Sequence, residues 1–146
     1  MKKILGVALL LFVIPFALMG CQTDGADSSD IAKVSISDSS DIAKVSISES
    51  RGFFEINTDF FVVYEDGDTT DRFEGIFKDA VKQDGIVDIA SPEFDLEAEL
   101  ENGSKQQYHL WVGEADQSSI LMYVENTNTI YLIPAADTNW LIDLLK

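Results

Sequence analysis

The chain holds one histidine, His109, and one cysteine, Cys21, so chemistry that needs an imidazole or a thiol has a single address for each. His109 lies in "YHLWVG", on the second arm of a hairpin written "EFDLEAEL-ENG-SKQQYHLWV", where it faces Asp95 across the strands. An aspartate–histidine pair is half of a hydrolytic triad: the carboxylate orients the ring, and the ring takes a proton from a nucleophile. No serine stands in a G-x-S-x-G elbow, so the pair reads as a surface cross-strand contact. Trp111 follows two residues on, on the same strand face. Covered by another element it is packing; exposed beside His109 it is an aromatic platform for a sugar or peptide. His109 and Trp111 are therefore the candidate ligand-facing residues.

Metal chemistry has a weaker footing. Zinc needs three or four nitrogen- or sulfur-rich ligands, which one histidine cannot supply. "EDGDTTD", Glu65–Asp71, sets Asp66 and Asp68 two apart as a calcium loop would, but Thr70 stands where a third ligand belongs. Gly67 is also at the wrong offset, and helix capping explains the stretch more simply. Asp95 and Glu97 imitate a glycosidase pair only in number, since alternate residues on a polar strand face are ordinary solvated positions. No catalytic residue, metal ligand or cofactor is assigned, and the expectation is a chain that is not an enzyme.

Cys21 points to an address. Residues 1–20, "MKKILGVALLLFVIPFALMG", join a positive start at Lys2 and Lys3 to an apolar run that is short for a spanning helix, the anatomy of a secretory signal. "LMGC", Leu18–Cys21, resembles the lipobox of bacterial lipoproteins. That resemblance implies cleavage between Gly20 and Cys21 and a diacylglycerol on the thiol. Two or more acyl chains anchor firmly where one does not. The expected location is the extracytoplasmic face of the cell membrane, with membrane lipid as the first partner through acylated Cys21. A lipidated lone cysteine leaves no thiol for a disulfide, so the mature fold is held by packing.

Losing the leader removes Lys2 and Lys3 and takes the formal net charge from −16 to −18. A nucleic-acid partner is excluded on that ground, because a binder needs a basic footprint to release counterions. Repulsion from anionic head groups also keeps the domain off the lipid surface, while cations and basic peptides remain compatible.

Residues 21–41 are rich in Ser and Asp, hold no aromatic side chain and read as a flexible tether. Across its end runs a tandem duplication: Ser28–Asp38 and Ser39–Glu49 differ only where Asp38 becomes Glu49. Each copy closes on "KVSIS", alternating at strand period. Only the second copy adjoins the domain at a workable connection length, so Lys44–Ser48 is the expected first strand and Lys33–Ser37 is linker. The extra copy lengthens the tether's reach from roughly 17 Å to roughly 25 Å. The rival reading is register exchange, in which either copy pairs with the same neighbour.

Residues 42–146 form the expected single domain. "FFVVYED", Phe60–Asp66, is a strand. "DTTDRFEGIFKDAVKQDG" is a helix with capping candidates Asp68, Thr69 and Thr70, carrying Phe73, Ile76, Phe77, Ala80 and Val81 at helical spacing and stopped by Gly85. For the hairpin, a two-residue Asn102-Gly103 turn mixes the faces. A three-residue loop with Gly103 left-handed pairs Leu100 with Ser104, Leu96 with Tyr108, Phe94 with Leu110, Glu99 with Lys105 and Asp95 with His109. Two further strands, "SSILMYV" and "NTIYLIP", meet at a turn near Glu125–Asn128. A terminal helix is capped near Asp137 or Thr138, with Trp140, Leu141, Leu144 and Leu145 on one face. The expected class is α+β, an antiparallel β-sheet with two helices packed on one face.

The ordering "FFVVYED…AVKQDGIVDIASPEFD…YHLWVG…NTIYLI…DTNWLIDLLK" resembles the YhfM-like domain of small lipoproteins from Bacillus-type bacteria, over roughly Val45 to Lys146. The resemblance implies address and fold and carries no activity. The duplicated "SSDIAKVSIS" is not a feature of that resemblance. The functional expectation is a membrane-anchored, non-enzymatic interaction module of the cell envelope with an unknown envelope protein or ligand. The alternative is an extracytoplasmic ligand-binding or inhibitor-like domain for a peptide or small molecule.

Overall fold

The computed structural model describes residues 41–83 and 88–146. Cys21, the leader, the tether up to residue 40 and the first repeat copy lie outside the described residues, as does Gly85. The elements run β1 (Ile42–Glu49), β2 (Val62–Tyr64), α1 (Gly67–Asp79), β3 (Val81–Gln83), β4 (Phe94–Leu100), β5 (Lys105–Trp111), β6 (Ser119–Tyr123), β7 (Asn126–Ile133) and α2 (Ala135–Leu144). One seven-stranded sheet takes the order β2-β1-β4-β5-β6-β7-β3, with every neighbouring pair antiparallel. No helix among the described residues is long and apolar enough to cross a membrane.

The second repeat copy is the first strand, as its spacing predicts, and it lies between β2 and β4. Val45 pairs with Tyr64 on one side and Ala98 on the other, and Ile47 with Val62 and Leu96. Both apolar side chains are fully buried. The β4–β5 register is the predicted one at each position, including Leu96 with Tyr108 and Asp95 with His109. Gly103 takes a φ of 82°, a left-handed value that costs glycine nothing, and Leu100 N donates to Ser104 O at 2.9 Å to close the loop.

Strand alternation sorts the sheet into two faces. On one, Val45, Ile47, Leu96, Tyr108, Leu110, Leu121 and Ile133 share a buried cluster with Phe73, Ile76 and Phe77 of α1 and Leu141 of α2. The rings in it meet closely: Phe77 stacks on Tyr108 with centroids 4.9 Å apart, and Phe73 meets Trp140 edge-on at 5.2 Å. On the other face a smaller cluster of Trp111, Met122 and Ile130 is covered by Phe53 and Ile89 from loops.

Several boundaries differ from the sequence expectation. The first helix ends at Asp79, because Ala80 turns extended and Val81–Gln83 leaves to pair with Leu132, Tyr131 and Ile130 of β7. Completing a sheet edge wins over one more helical turn. Its cap is Asp66 rather than residues 68–70: the Asp66 carboxylate accepts from Thr69 N at 2.9 Å, and hydrogen bonding from the Thr69 side chain and then its backbone holds the carboxyl pKa below the usual range. The strand expected over Phe60–Asp66 shrinks to Val62–Tyr64. The β6–β7 turn is Val124-Glu125, tighter than the Glu125–Asn128 turn expected, with Tyr123 opposite Asn126. The terminal helix is capped at Pro134, so Asp137 and Thr138 lie inside it as docking groups. Asp137 meets Arg72 at 2.5 Å and Thr138 Oγ1 meets Ser119 Oγ at 2.8 Å.

Candidate functional site

The residues 95, 97, 109 and 111 project from the sheet face that carries the smaller cluster, and their surroundings differ from the solvated row expected. Asp95 and His109 are both 0% exposed. The expected surface cross-strand pair is therefore a buried one, and the cause lies in the chain between β1 and β2. Residues 50–61 fold back over this face instead of crossing directly to the edge strand, and two groups in them reach the pair. Asn57 N donates to Asp95 Oδ2 at 2.7 Å, and Phe53 lies edge-on to the imidazole with centroids 6.2 Å apart.

The Asp95 carboxylate thus divides its oxygens, Oδ2 to the loop and Oδ1 to His109 Nδ1 at 2.7 Å. Both oxygens act as acceptors, so the ring proton on Nδ1 points to Asp95 and Nε2 is turned away from the pair. That Nε2 is the one buried side-chain nitrogen or oxygen among the described residues with no hydrogen-bond partner. Leaving a buried polar atom unmet costs about 1–3 kcal/mol.

Trp111 is 8% exposed, packs against Phe53 at 5.9 Å between centroids, and donates through Nε1 to Ala90 O at 2.8 Å. It is covered, so it serves as a wall beside His109 and not as an open platform. Glu97, expected to be solvated, is 5% exposed and held by Lys105 at 2.6 Å and Gln107 at 2.9 Å. Its neighbour Glu99 has its pKa lowered by the hydrogen bond from Lys44. Asp95 and Glu97 are therefore committed to different partners and do not act as one carboxylate pair.

A serine does lie in the same cross-strand row. Ser48 pairs with Asp95, which pairs with His109, so the order across the sheet is serine, aspartate, histidine. A nucleophilic triad needs the histidine in the middle. Ser48 Oγ instead donates to Asn57 O at 2.5 Å, helping to seat the loop. Proton transfer from an external donor, such as water or a ligand hydroxyl, remains open to Nε2; attack by Ser48 through His109 does not.

The loop is the part of the site that sequence reasoning missed. It is tied down by Asn57 Nδ2 to Glu49 O at 2.9 Å and by Arg51 to Asp59 at 2.5 Å. Gly52, immediately before Phe53, has a φ of 132°, a backbone conformation closed to most other residues. The signal was in "RGFFEINTDFF": a glycine followed by two aromatics, of which Phe53 turns inward while Phe54 is 89% exposed.

In fold the domain is similar to a solved thioesterase-like protein from Clostridium sporogenes ATCC 15579, with a TM-score of 0.58 and 15% identity over 70% of this chain and 92% of that one. This corrects the expectation that the chain is not an enzyme, because a thioesterase-like protein is built on a related scaffold and a missing sequence motif does not exclude hydrolysis. At that identity the likeness carries the fold alone. No curated protein matches the chain. Residues 38–146, which include every described residue, match the YhfM protein family, and the chain belongs to it.

Proposed function

We propose that the chain is an extracytoplasmic lipoprotein, held to the cell membrane through acylated Cys21, whose α+β domain takes a ligand at His109. The observation that carries the ligand reading is the bare Nε2 of a fully buried imidazole that Asp95 already orients. Support for the anchor comes from "LMGC" after an apolar run and from the tether that follows it. The fold is read as two helices covering one sheet face, because both contribute to one cluster with the inward row of β1, β4 and β5. That arrangement leaves the His109 face to loops, which open at lower cost than packed helices. The partner is an envelope protein or small ligand able to offer a hydrogen-bond donor.

Because His109 is the sole histidine, the ultraviolet absorbance of the N-ethoxycarbonyl-histidine formed with diethyl pyrocarbonate reads this site alone. Under native conditions His109 should be acylated more slowly than free imidazole and well above the rate of global unfolding, as the 50–61 loop lifts. Modification only at the unfolding rate would mean that no ligand reaches Nε2. The oriented ring and the thioesterase-like scaffold favour a second reading, hydrolysis with His109 as general base. Thioester turnover undiminished in the acylated chain would remove it. For the anchor, fatty-acid labelling in cells should be lost in Cys21→Ser; label retained in that variant overturns the lipoprotein reading.

A further inference from the structure

A cleft of about 580 Å³ opens at the far end of the sheet from the Asp95–His109 pair, between the β4–β5 loop and the β6–β7 turn. Its lining includes Gln106, Gln107, Tyr123, Glu125, Asn126 and Tyr131. Three tyrosines meet there because the sheet register stacks them: Tyr108 lies opposite Tyr123 in β5–β6, and Leu121 lies opposite Tyr131 in β6–β7, two residues along the same face. Tyr108 is fully buried behind the lining, with Tyr123 tilted on it at 4.6 Å and Tyr131 edge-on to Tyr123 at 6.0 Å. Tyr123 and Tyr131 are only half-buried.

The polar groups are arranged around these rings with unequal commitments. Burial raises the pKa of the Tyr108 hydroxyl, which stays a donor and gives its proton to Gln106 Oε1 at 2.6 Å. That bond fixes the carboxamide and turns its nitrogen away, and Gln106 Nε2 has no partner among the described residues. Lys105, also on the lining, is occupied by Glu97 at 2.6 Å and Glu99 at 3.8 Å. Glu125 is exposed on the turn, with no cation paired to it among the described residues. The cleft therefore offers half-buried aromatic rings, a pre-oriented amide donor and acidic surroundings, with its one lining cation already neutralised.

We propose that this cleft binds a neutral saccharide. A pyranose combines an apolar C–H face, which packs on aromatic rings, with hydroxyls that need fixed donors and acceptors close by. A ring lying against Tyr123 and Tyr131 places hydroxyls within the range of Gln106 Nε2 and of the Glu125 carboxylate. Acidic saccharides are disfavoured, since the domain's net negative charge and the spent Lys105 leave nothing to receive a carboxylate or phosphate. The site is independent of His109, which projects from the opposite face of β5.

The test uses the full chain in a polyoxyethylene detergent, which carries no sugar head group. Maltotriose, cellotriose and triacetylchitotriose are the neutral probes, with trigalacturonate as the acidic one, followed by calorimetry and amide NMR. At least one neutral probe should bind and shift the signals of Gln106, Tyr123, Glu125 and Tyr131. Gln106→Glu keeps an acceptor for Tyr108 but removes the amide donor, so it should fold normally and weaken binding about tenfold, as expected for loss of one or two hydrogen bonds. Tyr131→Ala should weaken it further. The proposal is overturned if no neutral probe moves these signals, if Gln106→Glu binds as well as the parent, or if trigalacturonate binds more tightly than every neutral probe.

Discussion

Replacing Asp95 with alanine should lower the unfolding free energy by about 2–5 kcal/mol, the cost of stranding two buried donors at about 1–3 kcal/mol each. Two donors lose their acceptor at once, His109 Nδ1 and Asn57 N, and neither is replaced by water while the loop stays closed. Asp95→Asn nearly preserves shape, yet its single carbonyl oxygen can serve only one of the two donors and its amide faces the other. It should therefore cost less than alanine but still about 2 kcal/mol. The two variants also differ from a simple packing defect in what they release: both should speed His109 acylation, because Asn57 holds the loop through the same carboxylate. Urea melts and acylation rates measure the two effects. A loss below about 1 kcal/mol for Asp95→Ala would match an exposed ion pair and contradict the burial of the site.

That pair shows where sequence reasoning reaches and where it stops. The Asp95–His109 register was legible because it depends on chain that is local: one glycine able to take φ of 82°, and the alternation of apolar residues on two adjacent arms. Its burial was not legible, because it depends on a loop from between β1 and β2, whose backbone at Asn57 reaches Asp95 over 38 residues of separation. The same difference explains the helix that ended early. Val81 continues the helical spacing of Phe73, Ile76 and Phe77, and only the unpaired edge of β7, some fifty residues on, draws it into a strand. The hairpin register paired Tyr108 with Leu96, but the tyrosine cleft needed the β6–β7 register, and the shifted pairing of Tyr123 with Asn126 is a departure that periodicity does not announce.

Aspartates at both Val45 and Ile47 should unfold the domain or cost it several kcal/mol, since each would place a carboxylate at a position with no solvent exposure among apolar neighbours. Val45 and Ile47 also sit in the middle strand of β2-β1-β4, so the damage reaches both pairings. Deleting Ser28–Asp38 alone should change stability by less than about 0.5 kcal/mol if the first copy is linker, as for changes away from packed features. Register exchange makes the opposite forecast for the double substitution. Val34 and Ile36 stand in the first copy where Val45 and Ile47 stand in the second, so an intact upstream "KVSIS" could enter the sheet and loop out the damaged one. Closing that loop of eleven residues costs little beyond the closure of a shorter one. The substitution would then be nearly silent in the full chain and severe only once Ser28–Asp38 is removed. Denaturant melts of the parent, the deletion, the double substitution and their combination separate the two. A tether of greater reach requires the double substitution to be equally severe with and without the first copy, whereas a silent one makes the duplication a spare strand held in reserve beside the sheet.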